Sequence, residues 1–164
     1  MGKSIRRKIL NPYVGLEGYH CFGCSPDNHQ GLKMEFYEEG EMVLCNWAPV
    51  PHFGGYKNVL HGGIQATLLD EIAAWTVHVK LRTAGVTASI DLKFKKTVYI
   101  DKGNLLLKAY IEKVVKRIAF VKTELYDNQN DLCCDGIVKY FIFPEEVARE
   151  KLYFPEFEEF FKKK

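Results

Sequence analysis

The sequence lacks the features that mark several large classes of protein. Its 164 residues contain no apolar stretch close to the roughly 18–20 residues that a membrane-spanning helix requires. The net charge is only +2, from 23 basic and 21 acidic residues, and no basic stripe suggests a nucleic-acid-binding surface. Hydrophobic residues make up 47% of the chain, which argues against intrinsic disorder. We therefore expect a folded protein whose partners are neither nucleic acids nor membranes.

Cysteines are few, and export signals are missing. The five cysteines, two of them adjacent, favour a reducing compartment over a disulfide framework. No apolar run of about 7–15 residues follows the basic N-terminus, so it does not resemble a signal peptide. We expect a cytoplasmic protein with one domain over residues 1–164. Its predicted parts are an N-terminal segment at 1–20, a core at about 21–143 and a C-terminal helical tail at 144–164.

Alternation of apolar and polar residues predicts six β-strands and one long helix. The strands are expected at residues 32–37, 42–47, 88–95, 105–115, 118–126 and 132–143. Residues 63–82 are rich in Ala, Leu and Glu and predict a helix of about five turns. The order ββ-α-ββββ indicates an α+β fold in which this helix lies across an antiparallel sheet. A short helix is expected at 144–152, and residues 157–161 either pack or fray.

The two acidic residues of the long helix fall on different faces of a helical wheel. Glu71 falls with Thr67 and His78 on a polar stripe, and we interpret it as a solvated surface acid. Asp70 falls among Ala66, Ala73, Ala74 and Val77. A carboxylate buried there alone would cost several kcal/mol, so Asp70 needs partners or a function. Asp70 is the candidate catalytic acid or base, and an exposed aspartate on an Ala-rich face is the alternative.

The residues that begin this helix offer hydrogen-bond donors. Gly62 and Gly63 follow His61 and allow a ligand to approach backbone N–H groups that carry a partial positive charge. Such a terminus can stabilise an oxyanion. Gly63 and Asp70 lie about 10 Å apart along the helix axis, too far to act on one carbonyl. We therefore expect a symmetric homodimer whose sites combine the helix start of one subunit with Asp70 of the other.

The segment 61–70 resembles the HGG-x(6)-D signature of hotdog-fold thioesterases, specifically the PaaI-like acyl-CoA thioesterases of the phenylacetate-degradation type. Residues 21–32 are similar to the CF-x-C-G-x-x-NP-x-GL opening of many members, with Ser25 and His29 in place of the usual Gly and Pro. The resemblance covers about residues 21–143. It implies a long helix wrapped by a curved antiparallel sheet, dimers that often pair into tetramers, and hydrolysis of acyl-CoA thioesters without a further cofactor.

The resemblance also implies roles for individual residues. Asp70 would be the general base or the nucleophile, and His61 would organise the loop before the helix. The amides of Gly62 and Gly63 would polarise the thioester carbonyl. Ser89, on the third predicted strand, matches a serine that orients the attacking water.

Substrate contacts follow the family less closely. Several relatives carry Asn six residues before the HGG histidine, where this chain has Gly55, and Asn58 is the nearby candidate. The phosphates of CoA require cations at the rim of the site. The candidate cations are Lys95, Lys96, Lys116 and Arg117.

Four residues near the N-terminus could be taken for a metal site: His20, Cys21, Cys24 and His29. Because a single CxxC occurs without a second spaced pair, we expect a packed loop and no metal. A redox dithiol is a further alternative reading of the cysteine pair.

Two other functions on the same fold stay open. Residues 52–55 faintly resemble the HFPG motif of hotdog dehydratases, although the acid those enzymes carry in the first helical turn is missing here. A non-catalytic acyl-CoA sensor is the other alternative. Such a sensor does not require a carboxylate at position 70.

Overall fold

The fold comprises a seven-stranded sheet and one long helix. The computed structural model describes residues 5–162; residues 1–4 and 163–164 of the predicted terminal segments lie outside the described residues. The strands are β1 (Arg6–Ile9), β2 (Phe36–Glu39), β3 (Met42–Trp47), β4 (Gly85–Phe94), β5 (Leu105–Val115), β6 (Ile118–Tyr126) and β7 (Leu132–Ile142). The helices are α1 (Gly62–Leu81) and α2 (Glu145–Leu152), with 3-10 turns at Pro51–Phe53, Ile100–Lys102 and Phe157–Phe160.

The sheet is antiparallel throughout, in the order β1-β2-β3-β5-β6-β7-β4. Helix α1 packs across it and contacts β3, β4, β5, β6 and β7. The α+β arrangement and the placement of the helix between the second and third predicted strands are therefore confirmed. Strand β4, which follows α1 in sequence, forms one edge of the sheet and pairs with β7 alone in the described chain.

The predicted strand count of six was wrong, because β1 adds a seventh strand at the other edge. This strand is four residues long and mostly charged, so it carries no apolar alternation. Two ion pairs join it to β2: Arg6–Glu39 (2.9 Å) and Arg7–Glu38 (2.6 Å). A third, Lys8–Glu35 (3.1 Å), joins it to the residue that precedes β2. The segment is a strand because it pairs with β2, and its own sequence has no hydrophobic pattern that would predict one.

Helix α1 is covered on its outer side as well as on the sheet side. The loop at residues 10–35 and the C-terminal tail pack there, and Phe160 of the tail is fully buried. Its ring lies 5.9 Å from that of Trp75 and 5.8 Å from that of His78, measured between centroids. The tail therefore packs onto α1 rather than fraying. Neither α1 nor another helix in the described part of the chain is long and apolar enough to cross a membrane.

Candidate functional site

Asp70 projects from α1 toward two strands that supply its hydrogen-bond donors. Its Oδ1 lies 2.7 Å from the Tyr140 hydroxyl of β7 and 2.9 Å from Thr87 Oγ1 of β4. Burial raises the pKa of Tyr140, which keeps the phenol protonated and able to donate. Among the described residues, no side chain donates to the second oxygen, Oδ2. The carboxylate is thus oriented through one oxygen and has the other available for reactants.

Thr87 rather than Ser89 approaches Asp70. Cross-strand partners share a face of a sheet, and Thr87 lies opposite Tyr140, whereas Ser89 lies opposite Lys139. Neighbouring residues such as Lys139 and Tyr140 point to opposite faces. A bulge between Thr87 and Ser89 breaks the usual alternation. Ser89 therefore faces away from α1 and from Asp70 of its own chain. Its role in orienting water stays a prediction.

The start of α1 offers one amide instead of the two that we expected. His61 is the N-cap, and its Nδ1 accepts a hydrogen bond of 2.9 Å from the Gly63 N–H. That bond withdraws the Gly63 amide from a substrate and fixes the imidazole ring. The Gly62 N–H has no hydrogen-bond partner among residues 5–162, as expected for the first residue of a helix.

A cavity of about 430 Å³ opens beside this helix start. Gly55 lines it and packs against the His61 ring, where an added Cβ would lie 3.3 Å from Cδ2. Two large aromatic residues at the mouth are well exposed, with 86% of Tyr56 and 56% of Phe94 accessible. The cavity therefore combines the free Gly62 amide with an aromatic wall.

Asn58 does not line this cavity. Its Nδ2 donates to Asp101 Oδ1 at 2.8 Å, and its Oδ1 accepts from the Asp101 amide at 3.1 Å. The residue adopts a positive φ of 61° in the turn before α1. Asn58 is thus a turn residue whose side chain is tied to the 3-10 turn at Ile100–Lys102. Its contact with substrate stays a prediction.

The candidate cations divide into two groups at opposite ends of the sheet. Lys95 and Lys96 line the cavity, but they form ion pairs with Asp135 (2.9 Å) and with Asp127 and Asp131 (both 2.6 Å). Lys116 and Arg117 form the turn between β5 and β6. The Arg117 carbonyl accepts a hydrogen bond from Ile142, at the far end of β7. The length of β7, roughly 30 Å, separates these two residues from the helix start of their own chain.

A second cluster of chemically active side chains lies on the outer side of α1. The N-terminal loop places Cys21 Sγ 3.3 Å from Glu71 Oε1 and 3.1 Å from Cys24 Sγ. Burial raises the pKa of the Glu71 carboxyl to about 8. The interpretation of Glu71 as a solvated surface acid was wrong, because the loop covers it. His20 and His29 are exposed and lie outside this cluster.

Sequence reasoning missed Thr87 and Tyr140. A signal for Tyr140 exists, because it lies two residues from Val138 on β7, and both are buried against the helix side of the sheet. A buried phenol needs a partner for its hydroxyl, and Asp70 was the unpaired acid of the helix. Nothing in the local pattern distinguishes Thr87 from Ser89, since the bulge is a property of strand pairing.

Comparisons with known proteins place this geometry in a defined structural class. The family model described as the thioesterase superfamily matches residues 57–134, which include α1 and the strands β4 to β6. The thioesterase superfamily protein RHA08564 superposes with a TM-score of 0.68 at 18% identity, over 76% of this chain and 60% of that protein. The present chain thus spans less than two thirds of that protein.

Two bacterial thioesterases align in the same way. The thioesterase HI1161 from Haemophilus influenzae gives a TM-score of 0.62 at 18% identity, over 68% of this chain and 79% of that one. A hypothetical thioesterase from Streptococcus pneumoniae, crystallised with coenzyme A, gives 0.60 at 20% identity, over 64% and 83%. No curated protein sequence matches the chain. The fold is therefore the α+β hotdog fold of thioesterase superfamily proteins, as expected.

Proposed function

We propose that the protein is a PaaI-like acyl-CoA thioesterase that hydrolyses a thioester to a free acid and CoA. The observation that carries this proposal is the Asp70 carboxylate, which Thr87 and Tyr140 orient through Oδ1 while Oδ2 accepts nothing from the described side chains. The thioesterase family match and the coenzyme A bound by the Streptococcus pneumoniae neighbour support the choice of substrate. The five free cysteines support a cytoplasmic location.

Two mechanisms fit an oriented carboxylate. As a general base, Asp70 Oδ2 removes a proton from water, the resulting hydroxide adds to the thioester carbonyl, and the proton returns to the departing CoA thiolate. As a nucleophile, Oδ2 attacks the carbonyl and releases CoA, and water then hydrolyses the mixed anhydride. In both, the Gly62 N–H stabilises the oxyanion. No cofactor beyond CoA, as part of the substrate, enters either mechanism.

The site needs a second subunit. Gly62 and Asp70 are eight residues apart on one helix, about 12 Å, so they cannot act on one carbonyl within one chain. Strand β4 is ten residues long and lies at an edge of the sheet, where it can pair with β4 of a second copy. Gly62 lies beside Phe94 at the end of β4, and Asp70 contacts Thr87 near its beginning. Antiparallel pairing of the two β4 strands would therefore bring Gly62 of one subunit toward Asp70 of the other. We therefore propose a homodimer as the unit that contains a complete site.

The same pairing gives a role to the remote cations. It would bring Lys116 and Arg117 of one subunit toward the helix start of the other, since the turn that holds them adjoins the beginning of β4 through β7. Neither side chain forms an ion pair within the described chain, so both are available for CoA phosphates. Lys95 and Lys96, already paired with aspartates, would set the charge of the cavity rim.

The proposal is tested with short, medium, long and aryl acyl-CoAs and a thiol-reactive dye. Asp70→Asn should lower kcat by about 10²-fold or more while substrate binding and folding are retained. Asp27→Asn, in an exposed loop, is the matched control and should keep wild-type turnover. Absence of turnover by the wild type across the panel would contradict the proposal and favour a sensor. Hydration of a crotonyl thioester without its cleavage would favour a dehydratase.

A further inference from the structure

Cys21, Cys24 and Glu71 form a cluster of three side chains of the types that bind metals, and the proposed reaction uses none of them. One ligand atom from each lies within 4.8 Å of the others. Glu71 Oε1 also accepts a hydrogen bond of 3.1 Å from Trp75 Nε1. No Lys or Arg among the described residues forms an ion pair with Glu71. The carboxyl group of Glu71 therefore lies against two thiols, and no cation of the described chain pairs with it.

Hydrogen-bond donors surround the two sulfurs. The Cys24 amide donates to Cys21 Sγ at 3.3 Å. The side-chain amide of Asn11 donates to the Cys24 carbonyl at 3.1 Å and to the Tyr19 hydroxyl at 3.0 Å. Because that hydroxyl oxygen already accepts from Asn11, its own hydrogen is available for Cys24 Sγ, 3.0 Å away. Thiolate is the form in which cysteine binds metals, and such outer donors orient metal ligands.

Gly23, between the two cysteines, makes room for the third group. A Cβ at this position would lie 2.4 Å from Cδ of Glu71. Any larger residue would push the carboxylate away from the sulfurs. The absence of a side chain at Gly23 thus leaves space for the Glu71 carboxyl group between the two cysteines.

We propose that Cys21, Cys24 and Glu71 bind a divalent ion of the zinc type. Two thiolates and one carboxylate are a donor set that suits zinc, and binding releases the two thiol protons. A tetrahedral site places sulfurs about 3.7 Å apart, so the present 3.1 Å separation must widen slightly. All three side chains line a cavity of about 330 Å³, from which a water molecule could supply a fourth ligand.

This proposal differs from our expectation that the protein binds no metal. A single CxxC without a second spaced pair predicted no metal, and the nearby His20 and His29 are exposed. The third ligand comes instead from α1, 50 residues after Cys21. A bound ion would fasten the N-terminal loop to the helix one residue beyond Asp70.

The test measures metal content and cobalt spectra of the reduced, full-length protein. We expect one zinc per chain after purification, and a thiolate-to-cobalt charge-transfer band when the chelator-treated protein is titrated with Co²⁺. Cys21→Ser, Cys24→Ser and Glu71→Gln should each weaken metal affinity by at least about tenfold. Gly23→Ala should also weaken it, although it removes no ligand. Cys133→Ser, a buried cysteine on β7, is the control and should match the wild type.

Two results would overturn the proposal. One is reduced wild-type protein that takes up neither zinc nor cobalt in stoichiometric amount. The other is a mass spectrum that shows a Cys21–Cys24 disulfide, lighter by two hydrogens, in protein that never binds metal. The wild-type cobalt spectrum decides the question even where a variant fails to fold, because it requires no substitution. Acyl-CoA hydrolysis is measured separately and does not enter this test.

Discussion

Asp70 and Glu71 are neighbours in sequence whose surroundings differ completely. The helical wheel correctly separated them onto two faces of α1, because the period of a helix fixes the direction of each side chain. It could not show what covers each face. Thr87 and Tyr140 come from strands, and Cys21 comes from a loop 50 residues away. The alanines around Asp70 on the helix therefore do not predict its strand partners. The polar residues around Glu71 likewise do not predict that the N-terminal loop covers it.

Replacement of Tyr140 by Phe removes one hydroxyl from Asp70 without removing the ring. Tyr140 acts as a positioning residue, because it contacts the carboxylate rather than substrate in the proposed mechanism. We expect kcat to fall roughly tenfold with KM nearly unchanged, and the free energy of unfolding to fall by about 1–2 kcal/mol. Steady-state kinetics with one acyl-CoA and a denaturant titration measure both effects.

The control for this substitution is Tyr126→Phe, which removes a hydroxyl that donates to Glu124 at 2.9 Å, a carboxylate that has no role in the proposed site. It should leave kcat unchanged. An unchanged kcat in Tyr140→Phe, or a rise in KM in place of the fall in kcat, would contradict the positioning role.

At the scale of elements, α1 and the strands β3 and β5 to β7 could be predicted closely, because each has strong local periodicity. Strand β3 was predicted at 42–47 and is found there, and the predicted helix starts one residue after the observed Gly62. Strand β1 could not be predicted, since its ion pairs and its partner define it. The N-terminal loop has no regular structure, so its position over α1 also had no local signal.

The N-terminal loop and the C-terminal tail bury His78 of α1, so the stability of the protein depends on pH through this residue. Its ring is partly buried among Tyr13, Trp75 and Phe160, and its Nδ1 donates to the Thr83 carbonyl at 3.2 Å. Burial lowers the pKa of His78 from its ordinary 6.5 to about 4. Between these values the unfolded chain binds a proton that the folded chain does not. The contribution of His78 to the free energy of unfolding is therefore full above about pH 6.5 and falls as the pH drops toward 4.

This dependence is measured by denaturant titrations of wild type and His78→Gln from pH 7 to pH 4. Relative to His78→Gln, the wild type should lose up to about 3 kcal/mol of its free energy of unfolding over this range, because only the wild type carries the His78 contribution. His29→Gln, at an exposed position, should keep the wild-type slope. Equal slopes in wild type and His78→Gln would show that His78 is not the group responsible.

At the scale of the whole molecule, the two edges of the sheet differ in a way that identifies the face for a second subunit. Strand β1 is short and charged, which protects an edge from pairing. Strand β4 is ten residues long and carries exposed apolar side chains, with 47% of Val86, 43% of Ile90 and 56% of Phe94 accessible. A long edge with apolar residues favours pairing with another chain. We expect that chain to be a second copy, related by a two-fold axis.

A shared site can be tested by complementation between two inactive variants. Asp70→Asn lacks the carboxylate, and Gly62→Pro lacks the amide hydrogen; proline is tolerated at the first position of a helix, and His61 already has an extended backbone. Gly62→Ala keeps the N–H, and its Cβ would meet only Phe94 at 3.7 Å, so it should stay active. Each of the first two variants should be inactive alone.

Mixed dimers of these two variants contain one site with both defects and one site with neither. If subunits exchange at random in an equal mixture, half of the dimers are mixed, and the mixture should recover about a quarter of wild-type kcat. Subunits are mixed in denaturant, refolded together and assayed with the same acyl-CoA. Recovery requires that Asp70 and Gly62 act from different chains, because no single chain in the mixture carries both groups. If each chain held a complete site, mixing would restore nothing, and the two-fold arrangement of the active site would be wrong.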